Sequence, residues 1–204
     1  QPRKHAELIL PMLDELLSEA GLAISQLDAL AFGRGPGAFT GVRIATGVIQ
    51  GIAFGADLPV VPVSTLRALA QRAFQEYQHA NVLTAFDARM DEVYWASYQL
   101  AENGLMRLQG EEQVIAPADV TCMASAVSAD VDWVGAGSGW QAYHEQLTQA
   151  VDCKLINTYP QLISRAEEIA KLAVYDYEQG MAVAAENALP VYLRNKVAWK
   201  KSSQ

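Results

Sequence analysis

The hydrophobic positions of the chain follow first a helical pattern and then an alternation of strand and helix patterns. Apolar residues three and four positions apart predict an amphipathic helix over 5–20, with Pro11 inside it and Gly21 just after its end. The next predicted elements are a strand, a helix, a strand and a helix, over 27–32, 41–55, 58–63 and 65–77. Because strands and helices alternate, this part of the chain is predicted to form an α/β layer.

The second part of the chain begins with a predicted meander. Strand-like patterns at Val82–Phe86 and Glu92–Leu100 are joined by a turn over 87–91, and a second turn follows at 102–104. A further strand begins at Trp133 and ends in a turn rich in glycine. These strands predict a second sheet.

The last predicted helix carries signals at both of its ends. Ser164 and Glu167 match a capping box, and Gly180 follows the predicted last turn. The elements divide the chain into a first lobe over 1–79, with two outer helices and a glycine loop, and a second lobe over 80–204, with a basic C-terminal tail. We therefore expect an α/β protein of two lobes.

The loop between the first predicted strand and the following helix is rich in glycine. Gly35 and Gly37 allow a tight turn, and Thr40 is predicted to cap the helix. A helix N-terminus behind such a loop can bind phosphate. The loop is not a Walker A site, because no lysine precedes Thr40. It is a poor dinucleotide fingerprint, because no acidic residue follows the strand over 58–63.

Three glycines form a stripe on the helix predicted over 41–55. Gly47, Gly51 and Gly55 recur every fourth residue. Each glycine costs about 1 kcal/mol relative to alanine in a helix interior, so the stripe requires compensation of roughly 3 kcal/mol. A face without side chains allows another backbone to approach closely. Two interpretations stay open at this point, namely packing within the lobe and contact with another molecule.

Composition places the chain of 204 residues among globular proteins, with 51% hydrophobic and 19% charged residues. We find no apolar run long enough to cross a bilayer and no signal peptide, and we expect a cytoplasmic location. Cys122 and Cys153 lack the spacing of metal ligands and are expected to be reduced. The net charge of −8 argues against free-standing nucleic-acid binding.

The C-terminal tail differs from the acidic average of the chain. Residues 190–204 contain two aromatic and four basic residues and no acidic residue. Such a tail is a candidate contact for RNA or for an acidic partner protein. The basic residues are Arg194, Lys196, Lys200 and Lys201.

Candidates for metal binding and acid–base chemistry are few. None of His5, His79 and His144 has a second ligand at i+3 or i+4, which argues against zinc. Asp87 directly follows an apolar strand, where a carboxylate can bind magnesium, but aspartate is also a favoured turn residue. We find no G-x-S-x-G elbow. Because the sequence shows no recognisable set of catalytic residues, a partner or scaffold role is favoured over a self-sufficient enzyme.

Four ordered motifs carry a resemblance to a known family. They are His5–Leu8, Gly35–Arg43, Asp87–Tyr94 and Pro190–Arg194. Over nearly its whole length, the chain resembles the TsaB (YeaZ) family of bacterial tRNA threonylcarbamoyladenosine biosynthesis proteins. The resemblance implies a two-lobed fold of the actin, sugar-kinase and Hsp70 ATPase type. It also implies a role in modifying adenosine 37 of tRNAs that read codons beginning with A.

The resemblance also implies partners. In this family the transferase chemistry belongs to the paralogous protein TsaD, and an ATPase, TsaE, completes the assembly. Members are understood to pair with TsaD, or with themselves as homodimers, through the first two helices. The implied interface of this chain comprises His5, Leu8, Ile9, Met12, Leu16, Val42, Ile44, Gly47, Val48, Gly51 and Gly55.

Two departures from the family pattern concern nucleotide chemistry. Family members begin with strands that carry an Asp-Thr motif, which this sequence lacks, so we expect a first lobe truncated at its N-terminus. Asp87-Ala-Arg89 also stands where relatives of this fold offer Asp-x-Gly to phosphates. We expect no intrinsic cofactor or metal, and at most ATP or ADP at the partner interface. Candidate nucleotide contacts are Gly35, Gly37, Thr40, Arg43, Asp87, Arg89, Gly135 and Gly137.

Two alternative functions stay open. The first is an ATP-dependent phosphotransferase of the same fold, with Asp87 as the magnesium ligand. The second is a glycopeptidase-like protein, for which the sequence shows no metal or nucleophile set.

Overall fold

The computed structural model describes residues 5–123 and 131–194. Within these ranges the chain forms six α-helices and seven β-strands. The helices are α1 (His5–Ala20), α2 (Phe39–Ala56), α3 (Thr65–Tyr77), α4 (Ser138–Ala142), α5 (His144–Ala150) and α6 (Ala166–Glu178). The strands are β1 (Leu30–Gly33), β2 (Val60–Val63), β3 (Asn81–Arg89), β4 (Glu92–Leu100), β5 (Met106–Ile115), β6 (Asp132–Ala136) and β7 (Lys154–Tyr159).

The first sheet consists of the parallel strands β1 and β2, paired from Leu30 opposite Val60 to Gly33 opposite Val63. Alternate residues of a strand point to opposite faces. Leu30 therefore packs with α2, whereas its neighbour Ala31 lies in the cluster formed with α6. Both faces of this small sheet are covered by helices, which explains its continuous apolar sequence.

The second sheet has the strand order β5-β4-β3-β6-β7. The pairs β5–β4 and β4–β3 are antiparallel, and the pairs β3–β6 and β6–β7 are parallel. Leu66 and Leu69 of α3 are buried on one face, and Trp140 and Leu147 of α4 and α5 are buried on the other. The predicted meander is thus one half of a mixed sheet.

The packing does not follow the predicted division between residues 79 and 80. Val183 forms a bridge with Val60, and Ala185 and Ala188 join the core beside β1 and α2. Helix α6 also packs against β1 and β2. The end of the described chain therefore returns to the first sheet, where these apolar residues complete the core beside α2.

Two predicted helix caps are wrong. Helix α2 begins at Phe39 with Ala38 as N-cap, so Thr40 lies inside the first turn and caps nothing. In α6 the N-cap is Arg165, whose N–H donates to Glu168 Oε2 at 3.1 Å. The acidic partner of the capping box is one residue later than predicted. Gly180, with a φ of 73°, does follow the end of α6 as expected.

Helix α2 corrects one expectation from the sequence. By length and composition alone, its 18 residues are apolar enough to cross a bilayer. Only Val42, Thr46 and Ala53 of the helix are buried, yet its inner face packs against β1 and the turn at Ala185–Asn187. It has the position of an amphipathic helix of a globular lobe, with an unusually apolar outer face.

Candidate partner-binding surface

Helix α1 presents an uncovered apolar stripe. Leu8, Met12 and Leu16 are one turn apart and all three are exposed. Ile9 is half-buried, and Pro11 lies inside an uninterrupted helix. His5 begins the helix. Because residues four apart share one face, the three exposed side chains form a continuous apolar edge, which marks an interaction site more often than a free surface.

The glycine stripe of α2 faces away from the rest of the described chain. Gly47, Gly51 and Gly55 are all exposed. A Cβ added to any of them would meet no described atom within 4 Å, apart from the helix's own backbone. The interpretation that the stripe packs within the lobe is therefore wrong. Within the described part of the chain, α2 is therefore stabilised through its inner face, and the stripe itself contributes no packing.

Three side chains of the predicted interface that flank the stripe are not exposed. Val42 is buried against Gly35 and Gly37, so it belongs to the loop core and not to an interface. Ile44 and Val48 are half-buried at the edge of the outer face. Sequence reasoning missed Phe54, which is 82% exposed. Its position three residues after Gly51, on the same helix face, was the available signal.

The glycines proposed as phosphate contacts are largely enclosed by the chain itself. A Cβ at Gly135 would overlap the indole of Trp140, and a Cβ at Gly137 would overlap Ala85 O. At Gly35 it would lie 3.3 Å from the carbonyl oxygen of Val191. Close packing explains why these positions are glycine, and these faces of the backbone are closed to a ligand.

Asp87 lies at the carboxyl end of β3, beside the end of the parallel strand β6. Its N–H donates to Ser138 Oγ at 3.2 Å. Its carboxylate accepts the N–H of Arg89 at 2.8 Å and pairs with the Arg89 guanidinium at 3.0 Å. Arg89, Met90 and Asp91 all have positive φ, so this carboxylate stabilises a tight turn. The pKa of the nearby Tyr143 hydroxyl is raised, first by desolvation and then by Asp87 and Asp91.

The C-terminal arm, which we define as residues 189–194, contacts both the glycine loop after β1 and the end of β3 with the start of β4. Arg194 Nε donates to Glu92 Oε2 at 2.9 Å, and Arg194 Nη2 donates to the carbonyls of Ala88 and Arg89 at 3.2 Å. The Arg194 guanidinium is thus bound within the chain, and its predicted contact with RNA or a partner stays a prediction. Lys196, Lys200 and Lys201 lie outside the described residues.

Arg43 lies in an aromatic cluster at the start of α2, formed by Phe39, Arg43 and Tyr192. Its guanidinium stacks 3.5 Å from the centre of the Phe39 ring, and its Nε donates to the Tyr192 hydroxyl at 3.0 Å. The arm thus brings together three of the four family motifs, those at 35–43, 87–94 and 190–194. Because these three motifs are far apart in the sequence, their contact could not be predicted from the sequence.

The residues that the structure describes form no candidate metal site. Over 5–123 and 131–194, no three His, Cys, Asp or Glu side chains could hold one ion. His79 Nε2 lies 2.9 Å from the Tyr159 hydroxyl. Cys122 and Cys153 are free thiols in one core cluster of the second sheet.

Comparison with known proteins identifies the family. A family model described as "TsaD: tRNA N6-adenosine threonylcarbamoyltransferase" matches residues 1–202. The Escherichia coli (strain K12) protein named tRNA threonylcarbamoyladenosine biosynthesis protein TsaB is 44% identical over 200 residues, which cover 98% of this chain and 85% of that protein. The chain belongs to the TsaB family.

Other members of the TsaB family and solved structures agree with this assignment. The protein of the same name from Bacillus subtilis (strain 168) is 29% identical over 196 residues, covering 94% of this chain and 80% of that protein. The structure titled "YeaZ from Pseudomonas aeruginosa" is 50% identical, with a TM-score of 0.84, and covers 93% of this chain and 85% of that chain. The predicted resemblance to the TsaB family and the predicted α/β fold of the actin, sugar-kinase and Hsp70 ATPase type are confirmed.

Within the TsaB-family fold, the exposed residues of the predicted interface occupy two helices of the first lobe. On α1 they are Leu8, Met12 and Leu16, and on α2 they are the three glycines, with Phe54 added by the structure. We call the outer faces of α1 and α2 the partner surface.

Proposed function

We propose that this chain acts in tRNA threonylcarbamoyladenosine biosynthesis as a non-catalytic partner of TsaD, docking through the partner surface. The names of its relatives support the pathway. The match to the family model described as TsaD makes this chain a homologue of TsaD, and pairing between two homologous chains is the arrangement that we propose. The single observation that carries the docking mode is the open space in front of Gly47, Gly51 and Gly55.

The energetics of α2 support an external partner. Three glycines in a helix interior cost roughly 3 kcal/mol relative to alanine. The inner face of α2 packs against β1 and stabilises the helix, but no described atom outside the helix packs on the stripe itself. A partner backbone that approaches the stripe can add stabilisation that alanines would not allow, because close approach yields many dispersion contacts. Phe54, which flanks the stripe, supplies an aromatic side chain of the kind that dominates interface energetics.

The chemistry of the described residues supports a non-catalytic role. The carboxylate of Asp87 is held by its own turn and by the Arg89 guanidinium. No cluster suited to a metal forms in the ranges 5–123 and 131–194. In our proposal the transferase chemistry lies in TsaD, and this chain holds TsaD in its active arrangement.

The rest of the assembly is part of the same proposal. TsaE joins the pair, and in the absence of TsaD the chain forms a homodimer through the same surface. Any ATP or ADP binds between the partners and not in the glycine loop, because Val191 covers Gly35. We place this role in the cytoplasm, where tRNA is modified.

The test is the substitution Gly51→Leu, because a leucine there blocks close approach to the stripe. We expect it to abolish pairing with TsaD, measured as complex mass by light scattering, while the circular dichroism of the isolated chain stays unchanged. Ala170→Leu, at an exposed position of α6, is the matched control and should pair normally. Normal pairing by the Gly51 variant would contradict the proposed docking mode.

A further inference from the structure

The first part of the C-terminal arm lies against the glycine loop that precedes α2. The N–H of Val191 donates to the carbonyl of Arg34 at 2.9 Å. The carbonyl of Val191 is so close to Gly35 that a side chain at position 35 would be crowded, and Gly35 has a φ of 95°. This end of the arm is therefore fixed by backbone contacts with the first lobe.

The other end of the arm is fixed to the turn between β3 and β4 by one side chain. The Arg194 guanidinium binds the Glu92 carboxylate and two carbonyls of the turn between β3 and β4. That turn contains three consecutive residues with positive φ, at 89–91. The Arg194 side chain is only 20% exposed. Charge-assisted bonds of this kind are stronger than neutral ones, so Arg194 is the anchor of the arm.

Between these two ends, Tyr192 reaches the first turn of α2. Its hydroxyl accepts the Nε–H of Arg43, and its ring centre lies 6.0 Å from that of Phe39. Phe39 and Tyr192 are 58% and 47% exposed, and Arg43 is exposed between them. Two exposed rings around a guanidinium have the composition of an interface hot spot.

We propose that Arg194 is a positioning residue of the partner surface. By anchoring the arm on the turn between β3 and β4, it holds Tyr192 against Arg43 and Phe39 and extends the partner surface from α2 onto the arm. The matching patch on TsaD is apolar, with a carboxylate that reaches Arg43. This inference rests on the proposed function, since it assigns a further part of the same docking site.

The experiment measures the dissociation constant of the complex with TsaD in a double-mutant cycle. Arg194→Ala, Phe39→Ala and Tyr192→Phe are each expected to weaken binding by about tenfold. Arg194→Ala made in the Phe39→Ala background should add less than about twofold, because the anchor acts through the aromatic cluster. Arg194→Lys keeps the positive charge but loses the planar guanidinium with its several N–H donors. It should recover part of the affinity for TsaD that Arg194→Ala loses. Arg107→Ala, on the exposed edge strand β5, is the control and should bind normally.

The outcomes separate this inference from the proposed function. If Gly51→Leu abolishes pairing but Arg194→Ala and Tyr192→Phe bind TsaD normally, the inference is wrong and the docking mode stands. If Arg194→Ala weakens binding by the same factor in the wild-type and the Phe39→Ala backgrounds, Arg194 does not act through the aromatic cluster. The inference is then also wrong. Normal pairing by Gly51→Leu would overturn the proposed docking mode itself. If Arg194→Ala fails to fold, Arg194→Lys takes its place in the cycle, because lysine loses most of the guanidinium contacts with Glu92 and the two carbonyls. Normal binding by Arg194→Lys and by Tyr192→Phe would then overturn the inference.

Discussion

At the scale of single residues, Asp87 illustrates how a carboxylate can look catalytic and be structural. Its position at a strand end is shared by metal ligands and turn residues. The structure shows both oxygens engaged by Arg89, one by the backbone N–H and one by the guanidinium. The sequence could place Asp87 after the strand, but the turn geometry that uses both oxygens depends on positive φ at three successive residues.

The substitution Asp87→Asn tests this assignment. Asparagine can still accept the Arg89 N–H, and the lost ion pair involves an exposed guanidinium. We expect the free energy of unfolding in urea to fall by no more than about 1 kcal/mol, with tRNA modification by the complex unchanged. Asp132→Asn, which removes an exposed ion pair with Lys154, is the control. Loss of modification in a folded, TsaD-bound Asp87 variant would instead favour the phosphotransferase alternative.

At the scale of secondary-structure elements, the sequence predicted the four long helices α1, α2, α3 and α6 but not the short helices α4 and α5. It also left open which face of α2 is buried. Helix α3 spans Thr65–Tyr77 as predicted, because Ser64 caps it and its apolar residues face one sheet. Helix α2 starts two residues earlier than predicted, since Val42 packs into the loop that precedes it. The direction of its glycine stripe could not be predicted, because a stripe of small residues suits a sheet and a partner equally.

Two glycine substitutions test the orientation of these elements. Gly47→Ala should raise the free energy of unfolding of the monomeric chain by about 1 kcal/mol, because it improves helix propensity in open space. Gly135→Ala, in β6, should lower it by about 1–3 kcal/mol, because the new methyl group would overlap Trp140. Urea unfolding measures both. A destabilised Gly47 variant would mean that the outer face of α2 is packed within the chain.

At the scale of the whole molecule, contacts that are distant in sequence decide the architecture. Residues 183–191 return to the first sheet, and the arm then crosses to the turn between β3 and β4. Local patterns could not predict this return, since Val183 and Val60 pair across more than half of the chain. The four family motifs indicated the fold through resemblance, whereas the contact among three of them, at 35–43, 87–94 and 190–194, is visible only in the three-dimensional structure.

We propose that a partner covers the outer faces of α1 and α2. Hydrogen–deuterium exchange, recorded for the protein with and without TsaD, detects such coverage helix by helix. We expect TsaD to slow amide exchange in α1 and α2, because a covered helix opens less often, and to leave α6 unchanged. If TsaD instead slowed amide exchange in α6 or β7 and left exchange in α1 and α2 unchanged, the proposed docking surface would be wrong.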